Sequence, residues 1–494
     1  MIEQQHSLSY QAFWFLVARS VSFTLNFLVP LIVVRLLDQA HFGLYKQVFL
    51  VAVTAQETLN FGMGVSAFYF LHHEPERRRQ VIFHIVAFNA AMGAAVLVVL
   101  WTYPELIGAI FGYAEAAEYS RKLALLIALT LSGSFLETVA TANRDTRFST
   151  LFIVAAQLTR SILTITAALA FQSLSAILWA AILQALFQCG LLAWYLETRF
   201  PGFWRMPDRH LAGRQLRYVV PLGLSGILLS LQSDLHSYLV ANRFGPELFA
   251  VYAVGCFQLP LLGLIRDAIG PLMIGRVAEL QQTGDSREII RVTARVMRQL
   301  ALVQWPVFFF FVVCGREFLV VLYTDRFRSS WPIFAVYLTM IPLNILMNDP
   351  IMRAYASSRR FLLVTRLAIL VLMVLGLRPA MDLFGMIGAT LVVVLLSACE
   401  RGATAWYAAK LVRFGREDMR LVSDVGRIGA AAAAAGLVTA LARKAIQVET
   451  PIIAVTLSAG VYGLCYLVGL IRWNLLLAEE RDLLIHQWRR IARL

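Results

Sequence analysis

Charged residues are scarce in this sequence. Only 15% of its 494 residues are Asp, Glu, Lys or Arg, whereas 59% are apolar, and the mean hydropathy is +0.69. A soluble globular domain contains about 25% charged residues. The composition therefore argues against an ordinary soluble enzyme and favours a chain that faces hydrocarbon over most of its length.

Cysteine is also scarce. The five cysteines, Cys189, Cys256, Cys314, Cys399 and Cys465, lie far apart in apolar segments and lack metal-ligand spacing, so neither a disulfide framework nor a metal site is predicted. The first nine residues lack the basic region, short apolar stretch and small-residue cleavage site of a signal peptide. We therefore expect them to begin the chain on the cytoplasmic side.

Motifs for covalent or nucleotide chemistry are missing. No Gly-x-x-x-x-Gly-Lys-Ser/Thr loop occurs, so we do not expect this chain to drive transport by hydrolysing ATP itself. The zinc-protease and serine-hydrolase motifs His-Glu-x-x-His and Gly-x-Ser-x-Gly are absent as well. The sequence thus predicts a protein that is not an enzyme and needs no cofactor, with energy drawn from an ion gradient, the membrane potential or consumption of the product.

The positive charge is spread along the chain. The net charge is +14, but the arginines recur in short bursts between apolar runs instead of clustering in one domain. This pattern is typical of membrane-flanking loops held against anionic lipid, and it argues against nucleic acid as a partner.

Apolar runs long enough to cross a membrane recur throughout. A spanning helix needs about 20 mainly apolar residues, and the sequence predicts an all-α polytopic membrane protein with about 14 transmembrane helices. The predicted spans are 12–34, 43–70, 81–103, 119–142, 149–171, 175–197, 217–241, 249–272, 299–322, 332–356, 362–380, 385–409, 425–443 and 451–472.

Orientation follows from the basic residues. Lys and Arg concentrate at alternate connections, which predicts that both termini lie inside. The outer connections are short, the longest running from about Pro104 to Glu118, which leaves no room for an outer catalytic domain. The residues Leu477, Leu484, Trp488 and Ile491 share one helical face, so the tail from Trp473 is expected to lie along the inner leaflet.

An internal repeat organises the chain. The turn after the first span contains Phe42 and Tyr45, and the turn after the seventh contains Phe249 and Tyr252, 207 residues later. An even number of spans separates the copies, so the two halves are expected to be related by an axis along the membrane normal. The predicted organisation is an N-terminal six-helix bundle (1–197), a cytoplasmic linker (198–216), a second six-helix bundle (217–411), helices 13 and 14 (412–472) and an amphipathic tail (473–494).

The residues of this repeat resemble a known family. Arg35-Leu-Leu followed by Phe42-Gly43-Leu44-Tyr45 is similar to the start of the polysaccharide exporter branch of the MOP (multidrug, oligosaccharidyl-lipid, polysaccharide) superfamily. The second copy, Gly245 to Tyr252, is similar to the start of that family's second half, although Ala250 replaces the glycine found at position 43. The resemblance implies two bundles around a central cavity that closes on alternate sides.

The same resemblance implies a function. Members of that branch flip undecaprenyl-pyrophosphate-linked oligosaccharide, such as an O-antigen (lipopolysaccharide) or exopolysaccharide repeat unit, across the bacterial inner membrane. The expected partners are that lipid, the membrane lipids, and a polymerase and glycosyltransferases of the same polysaccharide biosynthesis pathway. A peptidoglycan-precursor flippase and a cation-coupled multidrug exporter stay open as alternatives, and a membrane glycosyltransferase or polymerase is disfavoured by the short outer loops.

Polar residues inside the spans are the candidate substrate site. A charge at the centre of a spanning helix costs roughly 2.5 to 3.5 kcal/mol, so such residues are expected to face a wet interior. Arg19, Arg160 and Arg266 are the expected pyrophosphate ligands, because guanidinium groups pair with phosphate oxygens in bidentate fashion. The expected partners of the sugar part are Asn26, Gln56, Asn60 and Gln258, with Glu57 beside them.

Acidic residues in the same spans are the candidates for proton or sodium coupling. They are Asp234, Glu57 and Glu137. Structural roles remain open for these groups and for the arginines: Arg19 could snorkel to head groups, Glu57 could neutralise a neighbouring arginine, and Asp234 could be held by hydrogen bonds.

Overall fold

The protein is almost entirely helical. The computed structural model describes residues 2–205, 208–445 and 450–476, and this part of the chain contains no β-strand. The predicted all-α class is therefore confirmed. The predicted amphipathic face of the tail, from Leu477 to Ile491, lies outside the described residues.

The described residues form eighteen α-helices. They are α1 (Ile2–Leu36), α2 (Gln39–Leu59), α3 (Ser66–His73), α4 (Arg78–Thr102), α5 (Glu105–Phe111), α6 (Ser120–Gly133), α7 (Leu136–Ala142), α8 (Thr146–Phe171), α9 (Leu174–Arg199), α10 (Arg209–Gly255), α11 (Pro260–Thr283), α12 (Ser286–Tyr323), α13 (Trp331–Leu338), α14 (Met340–Leu343), α15 (Asp349–Ala354), α16 (Ser358–Leu411), α17 (Met419–Ala445) and α18 (Pro451–Arg472). Short 3₁₀ helices occupy Pro75–Arg77, Ala114–Tyr119, Phe203–Arg205 and Asp325–Ser330.

Ten helical segments of the described residues are long and apolar enough to cross a membrane. Two of them, α10 with 47 residues and α16 with 54, would be about 70 and 80 Å long at 1.5 Å per residue. That is more than twice the hydrocarbon core of about 30 Å. Each also contains a glycine outside helical geometry, Gly245 with φ 72° and Gly385 with φ 59°. The protein is thus multi-pass, while the number fourteen and the orientation of the termini stay predictions.

Four predicted spans are not continuous helices. The spans 43–70, 119–142, 249–272 and 332–356 are interrupted between α2 and α3, α6 and α7, α10 and α11, and α14 and α15. In the first interruption Phe61 and Gly62 have φ of 49° and 69°, a left-handed geometry that ends a helix.

Proline explains the third interruption. Pro260 opens α11, and the preceding Leu259 is extended, with φ −70° and ψ 111°, because the proline ring disfavours helical geometry in the residue before it. Irregular backbone at membrane depth is tolerated where protein buries it or where it lines a wet cavity. Such breaks are therefore expected to be covered by protein or to border polar space.

The two copies of the repeat turn pack against each other. Asp38 caps α2 by accepting a hydrogen bond of 2.8 Å from the amide of His41, which holds the pKa of Asp38 below its usual range. A Cβ atom added at Gly43 would overlap the carbonyl oxygen of Pro246. This close approach requires glycine in the first copy, whereas Ala250 in the second copy is simply buried.

The chain divides into two compact units. The first ends at Ala253 and the second begins at Val254. In the first unit α1 packs on α8, α4 on α6, and α9 on both α6 and α8. In the second unit α12 packs on α17 and α18, and α11 on α15. The domain boundaries given by the repeat stay a prediction.

Candidate functional site

A polar cavity lies inside the first unit. It has a volume of about 250 Å³ and is lined by residues of α1, α2, α6, α7, α8 and α9. Its polar lining consists of Ser22, Gln56, Thr130, Ser134, Glu137, Gln157, Arg160, Gln184 and Gln188. Ser134 lies in the interruption between α6 and α7, so the helix break contributes to the cavity wall.

One carboxylate of this cavity is already neutralised. Glu137 on α7 forms an ion pair with Arg19 on α1, across 118 positions of the sequence. The two side chains are 32% and 55% exposed. The predicted head-group ligand Arg19 and the predicted coupling residue Glu137 are therefore each other's partners.

Arg160 is in a different situation. It lies on α8, its side chain lines the cavity, and within the described residues no carboxylate comes within ion-pairing distance of it. A guanidinium without a carboxylate partner keeps its five donors available for an oxyanion. Arg160 is therefore able to bind a phosphate group.

Amide side chains supply most of the remaining polar wall. The Nε2 atom of Gln157 donates to Asn26 Oδ1 at 3.3 Å and to Ser161 Oγ at 3.4 Å. Gln184 is only 6% exposed, and Gln56 and Gln188 belong to the same lining. These groups offer both donors and acceptors to whatever fills the cavity.

Two further carboxylates connect α2 with α10 in the first unit. Glu57 accepts a hydrogen bond of 3.0 Å from Ser230 Oγ, and Asp234 accepts one of 2.6 Å from Thr54 Oγ1. Asn60 follows Glu57 at the end of α2, where its Oδ1 atom is buried with no hydrogen-bond partner among the described residues.

A second, smaller cavity lies inside the second unit. It has a volume of about 110 Å³ and is lined by both predicted residues of this unit, Gln258 and Arg266. Gln258 lies in the interruption before α11, and its Nε2 atom donates to Tyr337 Oη at 2.9 Å. The same cavity is bounded by Gln304 and Arg401.

Arg401 holds a helix interruption together. Its guanidinium donates to the carbonyl oxygen of Leu343 at 3.2 Å and to Asn344 Oδ1 at 2.6 Å, and Asn348 Nδ2 donates back to the Arg401 carbonyl oxygen at 3.2 Å. The last carbonyl groups of a helix have no partner within the helix. Arg401 supplies a hydrogen-bond donor to such a carbonyl group, that of Leu343, where α14 ends.

The predicted site residues thus fall into three groups. Arg19, Gln56, Glu137 and Arg160 lie in or at the first cavity, joined by Asn26 through Gln157; Glu57, Asn60 and Asp234 lie along α2 and α10; Gln258 and Arg266 lie in the second cavity. Their roles in binding and coupling stay predictions.

Several polar residues of the cavities were not singled out from the sequence. Gln184 and Gln188 are four apart on a predicted span, a spacing that places both on one helical face, and this signal could have found them. No comparable signal marked Tyr337 or Gln304, because their neighbours in the cavity come from helices distant in sequence.

The fold is that of known membrane transporters. A lipid II flippase, MurJ, in an inward closed conformation superposes with a TM-score of 0.74 at 12% identity, over 95% of this chain and 99% of that one. A multidrug resistance MATE family transporter of the MOP superfamily, in its inward-facing conformation, gives 0.60 at 13% identity, over 81% and 98%. The MATE transporter VcmN of Vibrio cholerae in its bent form gives 0.54 at 17% identity, over 84% and 99%.

Together, the long apolar helices and these likenesses show a multi-pass membrane protein with the fold of these transporters. Residues 32–332, more than half of the chain, match the family described as "Polysaccharide biosynthesis protein", and the chain belongs to that family. No curated protein matches the sequence significantly. The resemblance derived from the repeat turns is thereby confirmed.

Proposed function

We propose that this protein is a flippase that moves undecaprenyl-pyrophosphate-linked oligosaccharide across the bacterial inner membrane by alternating access. The glycan would be an O-antigen or exopolysaccharide repeat unit. The polysaccharide biosynthesis family and the flippase-like fold support the lipid-linked class of substrate. No covalent bond is made or broken in this function, so it needs shielding of charge and not a catalytic group.

The position of Arg160 in the first cavity is the observation that carries the proposal. A lipid-linked sugar pyrophosphate exposes phosphate oxygens that cannot enter hydrocarbon without a charged partner. Arg160 lines a cavity inside a membrane unit and has no carboxylate partner within the described residues. In the proposed mechanism it pairs with the pyrophosphate while the polyprenyl tail stays in lipid.

Ion coupling is assigned to the carboxylates of α2 and α10. Glu57 and Asp234 are hydrogen-bonded by Ser230 and Thr54, and neither forms an ion pair within the described part of the chain. A proton or a sodium ion bound there would change the charge between two helices, which is the kind of local event that biases a conformational equilibrium. Glu137 is the weaker candidate because it is paired with Arg19.

Reconstitution in proteoliposomes tests the proposal. The substrate is a fluorescent undecaprenyl-pyrophosphate oligosaccharide, and an impermeant reagent that modifies the glycan measures the fraction exposed on the outer leaflet. We expect transport by the wild-type protein and a loss of about 100-fold in Arg160→Ala, since a bidentate charged hydrogen bond contributes about 3 kcal/mol.

The matched control for this experiment is Arg147→Ala. Arg147 lies on the same helix α8, is exposed and does not line the cavity, so its removal is expected to leave transport unchanged. Unchanged transport in Arg160→Ala at normal protein levels would contradict the proposed role of the cavity.

Two other transport functions are tested by the same preparation. A lipid II flippase and MATE family multidrug transporters share this fold, and each type predicts a different cargo. Transport of the peptidoglycan precursor in place of the oligosaccharide lipid would favour the first. Transport of cationic dyes that depends on Asp234 would favour the second.

A further inference from the structure

The first cavity contains more hydrogen-bonding capacity than a phosphate group needs. Four glutamines, Gln56, Gln157, Gln184 and Gln188, line it from three helices. A phosphate is bound by donors, which Arg160 already supplies, whereas a glutamine amide is both donor and acceptor. The lining is therefore unlike that of a site for a phosphate alone.

Gln184 is the most informative of these residues. It is 6% exposed, it lines the cavity, and among the described residues its amide has no hydrogen-bond partner. The polar atoms of this amide are open to the cavity, so they offer a donor and an acceptor to water or to a ligand that enters it. Gln188, one helical turn further along α9, faces the same space.

The size and the apolar lining narrow the choice of ligand. A volume of about 250 Å³ is just below the roughly 300 to 1,000 Å³ of pockets for drug-sized ligands, which suits one ring and not a whole repeat unit. Phe49 and Phe152 form part of the wall. Glu137, the carboxylate of this lining, is paired with Arg19, so a cationic ligand would meet no available counter-charge from it.

We propose that the first cavity is a saccharide subsite, in which Gln184 and Gln188 select the sugar ring attached to the pyrophosphate that Arg160 binds. Each hydroxyl of a sugar donates and accepts hydrogen bonds, which matches a wall of amides, and the ring's apolar edges match Phe49 and Phe152. This inference rests on the proposed function, because the sugar reaches the cavity as part of the lipid-linked substrate. It goes further by naming the residues that set specificity.

Binding to three lipids separates the sugar from the head group. The probes are polyprenyl pyrophosphate alone, the same lipid carrying one hexose, and the same lipid carrying one N-acetylhexosamine, each titrated into protein in nanodiscs. We expect the wild-type protein to bind at least one sugar-bearing lipid more tightly than the bare lipid. Gln184→Leu and Gln188→Leu should each lower affinity for that lipid about fivefold, the effect of one lost hydrogen bond, and leave affinity for the bare lipid unchanged.

Two further variants guard the interpretation. Gln184→Asn keeps a neutral amide with both donor and acceptor, so a smaller loss of affinity for the sugar-bearing lipid is expected than in Gln184→Leu. Gln282→Leu, an exposed glutamine at the end of α11 in the second unit, is the control and should bind all three lipids like the wild type.

The outcomes distinguish this inference from the proposed function. If the glutamine variants keep the wild-type preference for the sugar-bearing lipid, or lose affinity equally for all three probes, the saccharide subsite is refuted and the amides serve only bound water. If the bare lipid fails to bind, or binds equally well to Arg160→Ala, the proposed function fails instead.

Discussion

The cavities of the two units contain arginines in opposite situations. In the first unit Arg160 faces open space without a carboxylate partner among the described residues. In the second unit Arg401 is engaged by Leu343 and Asn344, where a helix ends. A charged residue within a membrane helix is therefore not diagnostic of substrate binding. What separates a ligand from a structural group is what its guanidinium already contacts.

The largest effect is expected when both cavities lose an arginine. The double variant Arg160→Ala/Arg266→Ala removes the predicted phosphate ligands of both units, and transport of the lipid-linked oligosaccharide in proteoliposomes should fall to the background of protein-free vesicles. Distant sites contribute roughly additively, so each single variant should retain more activity than the double one. Wild-type rates in the double variant would show that neither cavity binds the head group.

Removal of Arg401 should affect stability and not transport. Arg401→Ala leaves the Leu343 carbonyl and the Asn344 side chain without their donor, which is expected to lower the free energy of unfolding by about 2 kcal/mol. The measurement is the thermal midpoint in detergent, set beside the transport rate per folded molecule. A normal midpoint with a large loss of transport would place Arg401 among the substrate ligands and remove the contrast with Arg160.

The Arg19–Glu137 ion pair predicts that a second substitution restores the transport lost when Arg19 is removed. Arg19→Ala leaves Glu137 without its partner in the cavity that Arg160 also lines, and the freed carboxylate would neutralise Arg160. We expect transport to fall about tenfold, equivalent to about 1.4 kcal/mol, and to recover in Arg19→Ala/Glu137→Gln. If the double variant is as impaired as the single one, Arg19 itself binds the substrate, as the sequence alone predicted.

The smallest effect is expected from a hydroxyl of the second cavity. Tyr337→Phe removes the oxygen that accepts the hydrogen bond from Gln258 while keeping the ring. A neutral hydrogen bond contributes about 1 kcal/mol, so the transport rate should change about fivefold at most. A loss as large as that of Arg160→Ala would make the second cavity the principal binding site.

Several features of the candidate site could not be predicted, or were not predicted, from the sequence. The interruptions at Phe61–Gly62 and before Pro260 escaped the apolar-run criterion, because hydropathy averages over a window and is insensitive to backbone angles. Gln184 and Gln188 were passed over because neither is charged, although their spacing marked a common helical face. The Arg19–Glu137 pair joins residues 118 positions apart, and no local sequence pattern predicts a partner at such a distance.

The sequence by itself determined the helical class, the membrane location and, through the repeat turns, the family, because each follows from composition or from short local patterns. The tertiary structure decided which buried charges are paired and which polar groups share a cavity. Arg19, Arg160 and Arg401 are chemically identical in the sequence, and they differ only in the groups that packing brings within hydrogen-bond distance. Hydrogen bonds and ion pairs act over a few ångströms, so their partners depend on how distant helices pack.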